Sequence, residues 1–250
     1  IFCFVRERAV RNSAHLVRIE MFVVKYGGKK MFPVASTFQK EGITMKVLLL
    51  NGSPRPNGCT YTALSEVAAA LEKNGIETEI FQIGKKPVSG CMACGACGKL
   101  GKCVIDDVVN QFVEKARGAD GFIFGSPVYY ANASGQVRSF LDRAFYSGGK
   151  AFTGKPGAAV VSCRRAGSTT ALDDLNKYFG INCMPVVSSQ YWNMVHGNTP
   201  EEVQQDKEGM QIMRTLGNNM AWLLKCIAAG KEQGIAFPER EPAVKTNFIR

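Results

Sequence analysis

The chain has 250 residues, of which 46% are hydrophobic, and it carries a formal net charge of +10. A chain of this length and composition can bury a full core, which excludes a disordered or fibrous protein. Its nine cysteines are too few and too clustered for a secreted disulfide scaffold, so we expect a reducing cytoplasm. Since no stretch reaches the roughly 18 apolar residues of a membrane span, no membrane partner is expected.

The first 44 residues differ in character from the rest of the chain. They contain eight Lys or Arg and three acidic residues, and thus supply +5 of the net charge. Because Met45 stands directly before the first strand pattern, we expect residues 1–44 to be a basic extension that is disordered or not native. The remaining charge of +5 removes most of the case for binding nucleic acid.

From residue 46 onward, apolar runs alternate with helical periodicity, which is typical of a parallel sheet covered by helices on both faces. The expected strands are residues 46–52, 77–83, 121–126, 157–163 and 183–189. The expected helices are residues 60–74, one that starts at Asp106 or Asp107, 134–146, 169–179 and 200–229. These elements predict one doubly wound five-stranded α/β domain over residues 45–250.

The loop after the first strand, NGSPRPNGCTYT, has the composition of a phosphate site. Ser53, Asn57, Thr60 and Thr62 offer side-chain donors, Arg55 offers a guanidinium, and a helix begins at this point. An ordinary turn accounts for the prolines and the Asn-Gly pair, but not for an arginine and several hydroxyls at a helix start. We therefore expect a phosphate monoester to bind here.

Four cysteines follow the second strand, within residues 90–104. Cys91, Cys94, Cys97 and Cys103 have the spacing C-x2-C-x2-C-x5-C, which brings four soft thiolate ligands into one small volume. A [4Fe–4S] cluster is the favoured interpretation, while a zinc ion or thiols without metal remain alternatives. The other strand and helix cysteines, Cys163, Cys183 and Cys226, are expected in the core.

Several motifs together resemble those of a known family, the NADPH-dependent FMN reductases of flavodoxin-like fold, and within it the iron–sulfur flavoproteins. They are NGSPRPNGCT, the cysteine run, GSPVYYANASGQVRSFLDR and the terminal TNFIR, and the resemblance covers nearly all of residues 45–250. It implies a sheet order of 2-1-3-4-5, bound FMN, NAD(P)H as co-substrate, and a homodimer or homotetramer.

The resemblance also implies site residues. The first loop would bind the FMN phosphate through Ser53, Arg55, Asn57 and Thr60, although Cys59 replaces a polar residue common in relatives. The isoalloxazine ring would lie against Pro127, Val128, Tyr129, Tyr130 and Asn132. A third contact loop would contain Arg164, Arg165 and Gly167, where the two arginines serve the reduced flavin or a nicotinamide 2′-phosphate, or are a solvated pair.

Two functions follow from these expectations. In the first, the protein is an NAD(P)H-dependent oxidoreductase that reduces a flavin, a quinone, oxygen or a similar small acceptor. In the second, it is an electron carrier linked to a ferredoxin, with little nicotinamide activity. A zinc-stabilised binding module is a third and weaker interpretation.

Overall fold

The computed structural model describes residues 3–12, 15–26, 29–30, 34–35, 44–244, 246 and 248. The chain divides into two compact units, Ile1–Thr44 and Met45–Arg250. The first unit contains strands β1 (Cys3–Asn12), β2 (His15–Tyr26), β3 (Lys29–Lys30) and β4 (Val34–Ala35), which pair in antiparallel fashion around β2. The sequence predicts a disordered or non-native extension here. The described residues form strands, and the native origin of the segment stays a prediction.

The second unit is built on a parallel sheet. Its strands are β5 (Lys46–Asn51), β6 (Glu77–Gln82), β7 (Gly121–Tyr129), β9 (Gly157–Cys163) and β10 (Met194–His196), and the short β8 (Asn132–Ala133) folds back antiparallel to the end of β7. The order across the parallel sheet is β6-β5-β7-β9-β10. Counted along the domain this is 2-1-3-4-5, so the predicted order is confirmed.

Helices cover both faces of this sheet. They are α1 (Cys59–Lys73), α2 (Cys97–Leu100), α3 (Val108–Arg117), α4 (Gly135–Phe152), α5 (Ser168–Ile181), α6 (Pro200–Gln205) and α7 (Lys207–Glu232). Side chains alternate between the faces along β5: Leu48 and Leu50 join one buried cluster with α3, α4 and α5, while Val47 and Leu49 join another with α1 and α7. The sheet therefore separates two hydrophobic cores. None of the helices among the described residues is long and apolar enough to cross a membrane.

The fifth strand is not where the sequence predicts it. Within residues 183–189 the chain makes one isolated bridge, between Val186 and Gly157, and regular pairing begins only at Met194. Cys183 has a positive φ of 53°, which interrupts extended backbone. Pro185 has no N–H to give to a ladder. Cys183 and Cys226 are also exposed rather than in the core, so that prediction is wrong.

The long final helix is divided at Asp206, where the sequence predicts one continuous helix over residues 200–229. The Asp206 carboxylate accepts the backbone N–H of Gly209 at 2.9 Å, which caps α7. It also accepts the N–H of His196, at the end of the sheet, at 2.7 Å. One side chain thus starts α7 and fixes it to β10.

Glu79, on β6, bridges two lysines and makes stability depend on pH. Its carboxylate lies 2.8 Å from Lys115 Nζ and 2.7 Å from Lys46 Nζ, and the hydrogen bonds from these two lysines lower the pKa of Glu79. A lowered folded-state pKa stabilises the protein above the unfolded value of about 4.3. That contribution is lost as the pH falls through the folded-state value.

We expect Glu79→Gln to destabilise the protein by about 0.5–1 kcal/mol at pH 7, with the difference shrinking below about pH 4. Urea denaturation of both proteins at pH 7 and at acid pH measures this. Glu114→Gln is the matched control, because the pair of Glu114 with Arg117 is well exposed. An effect of Glu79→Gln that is equal at both pH values would contradict the assignment.

Candidate functional site

A buried hydrogen-bond network shapes the loop after β5. Asn51 donates from Nδ2 to Gln82 Oε1 at 2.6 Å and to the Pro56 carbonyl at 3.2 Å, and its Oδ1 accepts the N–H of Ser53 at 3.2 Å. Gln82 in turn donates to the Ser53 carbonyl at 2.6 Å. The buried Ser53 hydroxyl accepts the N–H of Arg55 at 3.1 Å. These bonds hold the loop in a tight turn at the carboxyl edge of the sheet.

Helix α1 begins directly behind this loop and has no side-chain cap. Its N-cap residue is Gly58, which has no side chain to accept a hydrogen bond from the first turn. The N–H groups at the start of a helix then remain available to another acceptor, and the helix dipole favours an anion there. Arg55 is exposed in the same cleft. The loop and the helix start together suit a phosphate group.

A cleft of about 180 Å³ lies at the carboxyl ends of β5, β7, β9 and β10, between these strand ends and the loops that follow them. It is lined by Ser53, Arg55, Cys59, Thr60, Pro127, Val128, Tyr129, Ser162, Cys163, Arg164, Gly197 and Asn198. The buried hydroxyls of Thr60 and Ser162 hydrogen bond at 2.8 Å and join two walls of the cleft. Seven predicted residues line this cleft: Ser53, Arg55, Thr60, Pro127, Val128, Tyr129 and Arg164.

The other predicted residues lie outside the cleft lining. The Thr62 hydroxyl donates to the Gly58 carbonyl at 3.3 Å, within its own helix turn. Asn132 Oδ1 accepts the N–H of Ala133 at 2.7 Å, and Tyr130 is fully exposed with a φ of 62°. Asn57, Arg165 and Gly167 also lie outside the lining. Their roles toward a ligand stay predictions.

Gly167 nevertheless supports the cleft wall. It has a φ of 86°, and a Cβ at this position would lie 2.9 Å from Val128 Cγ1. A glycine is therefore needed for the start of α5 to approach the end of β7.

Five lining residues were not predicted as contacts of the ligand: Cys59, Ser162, Cys163, Gly197 and Asn198. Ser162 and Cys163 end β9 at the same sheet edge, and the edge rule alone was enough to find them. Gly197 and Asn198 follow β10, which the sequence places elsewhere. Burial raises the pKa of the thiols of Cys59 and Cys163, so both stay protonated near neutral pH. The Cys59 thiol donates to the Gly197 carbonyl at 3.6 Å, which closes one side of the cleft.

The four clustered cysteines, in the segment that connects β6 to α3, line one cavity. Cys91, Cys94, Cys97 and Cys103 share this cavity, also of about 180 Å³, with side chains of α4 that include Arg143 and Tyr146. The loop is turned inward at left-handed positions: Ala93, Gly95 and Gly101 have φ values of 53°, 68° and 66°. Cys91 and Cys94 are exposed, while Cys97 and Cys103 are partly buried.

The donor set of this cavity suits a metal group. Four cysteines line it, and thiolates are the ligands of a cubane iron–sulfur cluster, one on each iron, as well as of structural zinc. Among the described residues, no three cysteine, histidine or carboxylate side chains are already gathered around one metal position. The identity of the group therefore stays a prediction.

Arg143 is buried beside the cysteines and pairs with Asp107. Its Nη1 lies 2.7 Å from Asp107 Oδ2, and its Nε donates to Cys103 Sγ at 3.3 Å. Burial lowers the pKa of Arg143, but the hydrogen bonds to Asp107 and Cys103 outweigh that effect and raise it. Asp107 Oδ1 also accepts the N–H of Val109, and so it is the N-cap of α3 at one of the two predicted positions.

A parallel sheet of order 2-1-3-4-5, with an uncapped helix start at its carboxyl edge, defines the flavodoxin-like class. A WrbA-like flavodoxin from Agrobacterium tumefaciens has the same fold, with a TM-score of 0.51 at 17% identity over 73% of this chain and 98% of that chain. Residues 45–199 match the sequence profile of the NADPH-dependent FMN reductases.

Two relatives match about three quarters of this chain and nearly all of their own length. An iron–sulfur flavoprotein of Methanocaldococcus jannaschii is 34% identical over 191 residues, which are 73% of this chain and 99% of that protein. An iron–sulfur flavoprotein of Methanosarcina thermophila is 30% identical over 193 residues, which are 76% of this chain and 100% of that protein. The chain therefore belongs to the NADPH-dependent FMN reductase family and is related to its iron–sulfur flavoproteins. The resemblance found in the sequence is confirmed, and family membership supports FMN as the cofactor.

Proposed function

We propose that this protein is an FMN-dependent oxidoreductase that takes electrons from NAD(P)H and passes them through a [4Fe–4S] cluster. The proposal rests on one observation: a single domain of the FMN reductase family carries both a polar loop with the features of a phosphate site and a cavity lined by four cysteines. The loop alone would call only for FMN, and the cysteine cavity alone only for a metal group. A protein that exchanges electrons between two-electron and one-electron carriers needs both cofactors.

The cleft residues support a specific orientation of FMN. Ser53, Arg55, Thr60 and the uncapped start of α1 would hold the phosphate. Tyr129, which is half-exposed at the end of β7, would pack against the ring. Arg164, which also lines the cleft, would bind either the reduced flavin or the 2′-phosphate of NADPH.

The cysteine cavity would hold the cluster through Cys91, Cys94, Cys97 and Cys103. Bound FMN would supply exchange between electron pairs and single electrons, and a bound cluster would supply one-electron transfer. The chain itself brings the four thiols to one cavity, partly buries Cys97 and Cys103, and places a cation beside Cys103.

A second function, an electron carrier linked to a ferredoxin, is favoured by the exposure of Cys91 and Cys94. A cluster bound there would have two ligands at the surface, within reach of a protein partner. In this alternative, the nicotinamide would react slowly or not at all. Under either alternative we propose a cytoplasmic protein that forms a homodimer or homotetramer. Light scattering of the holoprotein tests its oligomeric state.

One experiment separates these functions. The protein is purified without oxygen, and its absorption spectrum, iron, sulfide, zinc and FMN are measured on the same sample. About four irons per chain with FMN are expected for a cubane held by four thiolates. Steady-state oxidation of NADH and NADPH follows. Turnover no faster than that of free FMN would contradict the reductase and leave the carrier, while zinc without flavin would contradict both.

We expect Arg55→Ala to weaken FMN binding by about 1.5–3 kcal/mol, the value of a hydrogen bond to a charged group. This corresponds to a dissociation constant roughly 10 to 150 times larger. Fluorescence titration of the flavin-free protein with FMN measures it. Arg117→Ala, on α3 and outside the cleft, is the control and should bind like the wild type. Equal affinities of the two variants would remove Arg55 from the phosphate site.

A further inference from the structure

Arg143 is the largest fully buried side chain among the described residues, with 1% of it exposed. An arginine in the interior of a helix normally extends to solvent, and burial of its charge is unfavourable unless the guanidinium is paired and hydrogen bonded. Here the burial has a specific compensation. A guanidinium has five N–H donors, and all five are used.

The five hydrogen bonds connect α4 with the cysteine loop and with α3. Two go to Asp107, from Nη1 at 2.7 Å and from Nη2 at 2.9 Å, in the planar two-point geometry of an arginine–carboxylate pair. Nη1 also donates to the Ser89 carbonyl at 3.3 Å, and Nη2 to the Ile105 carbonyl at 2.9 Å. The fifth bond, from Nε to Cys103 Sγ, is 3.3 Å long.

The two carbonyl partners lie at opposite ends of the cysteine loop. Ser89 precedes the first of the four cysteines and Ile105 follows the last, so one side chain fastens both ends. The backbone of Cys103 is held separately, since its N–H donates to Asn110 Oδ1 and its carbonyl accepts from Asn110 Nδ2, both at 3.0 Å. With the backbone and the sulfur both fixed, Cys103 is the most constrained of the four thiols.

The hydrogen bond from Arg143 also gives the Cys103 sulfur an electrostatic environment that differs from that of the other three clustered sulfurs. Of the four clustered sulfurs, only that of Cys103 accepts a hydrogen bond from a charged donor among the described residues; Cys91 Sγ accepts the backbone N–H of Ala93 at 3.4 Å. Hydrogen bonds to sulfur are one of the means by which a protein sets the potential of an iron–sulfur cluster. They stabilise negative charge, and negative charge increases on reduction.

We propose that Arg143 is a positioning residue that holds Cys103 as a ligand and raises the one-electron reduction potential of the cluster, an inference that rests on the cluster of the proposed function. A lysine does not replace it. The ammonium is a point charge without the planar fork, so it can keep a bond to Asp107 but not the simultaneous bonds to Cys103 and both carbonyls.

The test is a redox titration of the FMN-loaded holoprotein without oxygen, with the reduced cluster followed by electron paramagnetic resonance. We expect Arg143→Lys to make reduction of the cluster about tenfold less favourable, a fall of about 59 mV for one electron. Arg138→Lys is the matched control, because Arg138 is on the same helix but pairs with Asp174 at the surface. It should keep the wild-type potential.

The possible outcomes test the presence of the cluster and the role of Arg143 separately. Wild-type protein without iron and sulfide would refute the cluster. An Arg143→Lys protein with full iron and an unchanged potential would refute the role of Arg143 alone. A folded Arg143→Lys protein that loses iron, while Arg138→Lys keeps it, would support the positioning of Cys103.

A further measurement does not depend on the cluster or on a variant of Arg143. In metal-free protein, the Nε–H of Arg143 should give a slowly exchanging nitrogen–proton resonance, because this donor is buried and bonded to Cys103. Replacement of Cys103 by alanine should shift this resonance. A resonance that stays in place would overturn the contact from which the inference is drawn.

Discussion

Replacement of Cys97 by serine is expected to remove the iron–sulfur absorbance completely while FMN stays bound. A hydroxyl is a far poorer ligand for iron than a thiolate, and a cubane that lacks one of four protein ligands is open to loss of an iron. Cys97 lines the cysteine cavity and does not line the cleft assigned to FMN. Absorbance, iron and flavin content of protein purified without oxygen measure the two effects independently.

Cys183→Ser is the matched control for this change. Cys183 is an exposed thiol at the end of α5, outside the cysteine cavity, so its replacement should leave iron and flavin as in the wild type. Full iron content in Cys97→Ser would mean that the ligand set is wrong. Loss of flavin together with iron would mean that the two sites are coupled through the fold rather than separate.

Replacement of Asp107 by alanine is expected to destabilise the domain by about 3–5 kcal/mol. The change leaves the guanidinium of Arg143 buried without its carboxylate, and an unpaired buried charge is among the largest defects that one substitution creates. It also removes the N-cap of α3, which by itself contributes about 1 kcal/mol. Urea denaturation of metal-free protein, with the midpoint and slope compared to the wild type, measures the loss.

Two further variants divide this effect into its parts. Asp107→Asn keeps an oxygen that can accept the N–H of Val109 but removes the charge, so it should fall between the wild type and Asp107→Ala. Glu114→Ala removes an exposed ion pair on the same helix and should change stability by less than about 0.5 kcal/mol. If Asp107→Ala were as mild as Glu114→Ala, the buried pair would contribute little to folding.

The parallel sheet was predictable because its inner strands have simple patterns. In β5 every residue from Val47 to Leu50 is apolar and buried, as expected of a strand covered on both faces. The start of α3 at Asp107 was predictable from its capping residue. By contrast, β10 has three residues, Met194–His196, and is too short to show any periodicity. Its position depends on tertiary hydrogen bonds to β9.

The site was predictable where its chemistry is local. Ser53, Arg55 and Thr60 stand together in one loop, so residue type and position sufficed. The need for a glycine at position 52 was not predicted from the sequence. A Cβ on Gly52 would lie 2.1 Å from Val137 Cγ2, on a helix 85 positions farther along the chain. The close approach of α4 is what requires a glycine, and no pattern within the loop records it.

The burial of Arg143 could not be predicted from the sequence for a related reason. In the sequence of α4 it is a charged residue in an amphipathic helix, which ordinarily indicates a solvent-facing position. Its burial depends on Asp107 and on the carbonyls of Ser89 and Ile105, which come from two segments far from α4 in the chain. Such a cluster is visible only when the three segments are assembled.

The two cores on either side of the sheet have a consequence for variation and repacking. Leu48 and Leu49 are chemically identical neighbours, yet one packs with α3, α4 and α5 and the other with α1 and α7. Because the two side chains belong to separate clusters, a substitution at one leaves the packing partners of the other in place, so the pair can be coupled only through the backbone of the strand. Residues far apart in the chain but packed on one face should show the larger epistasis.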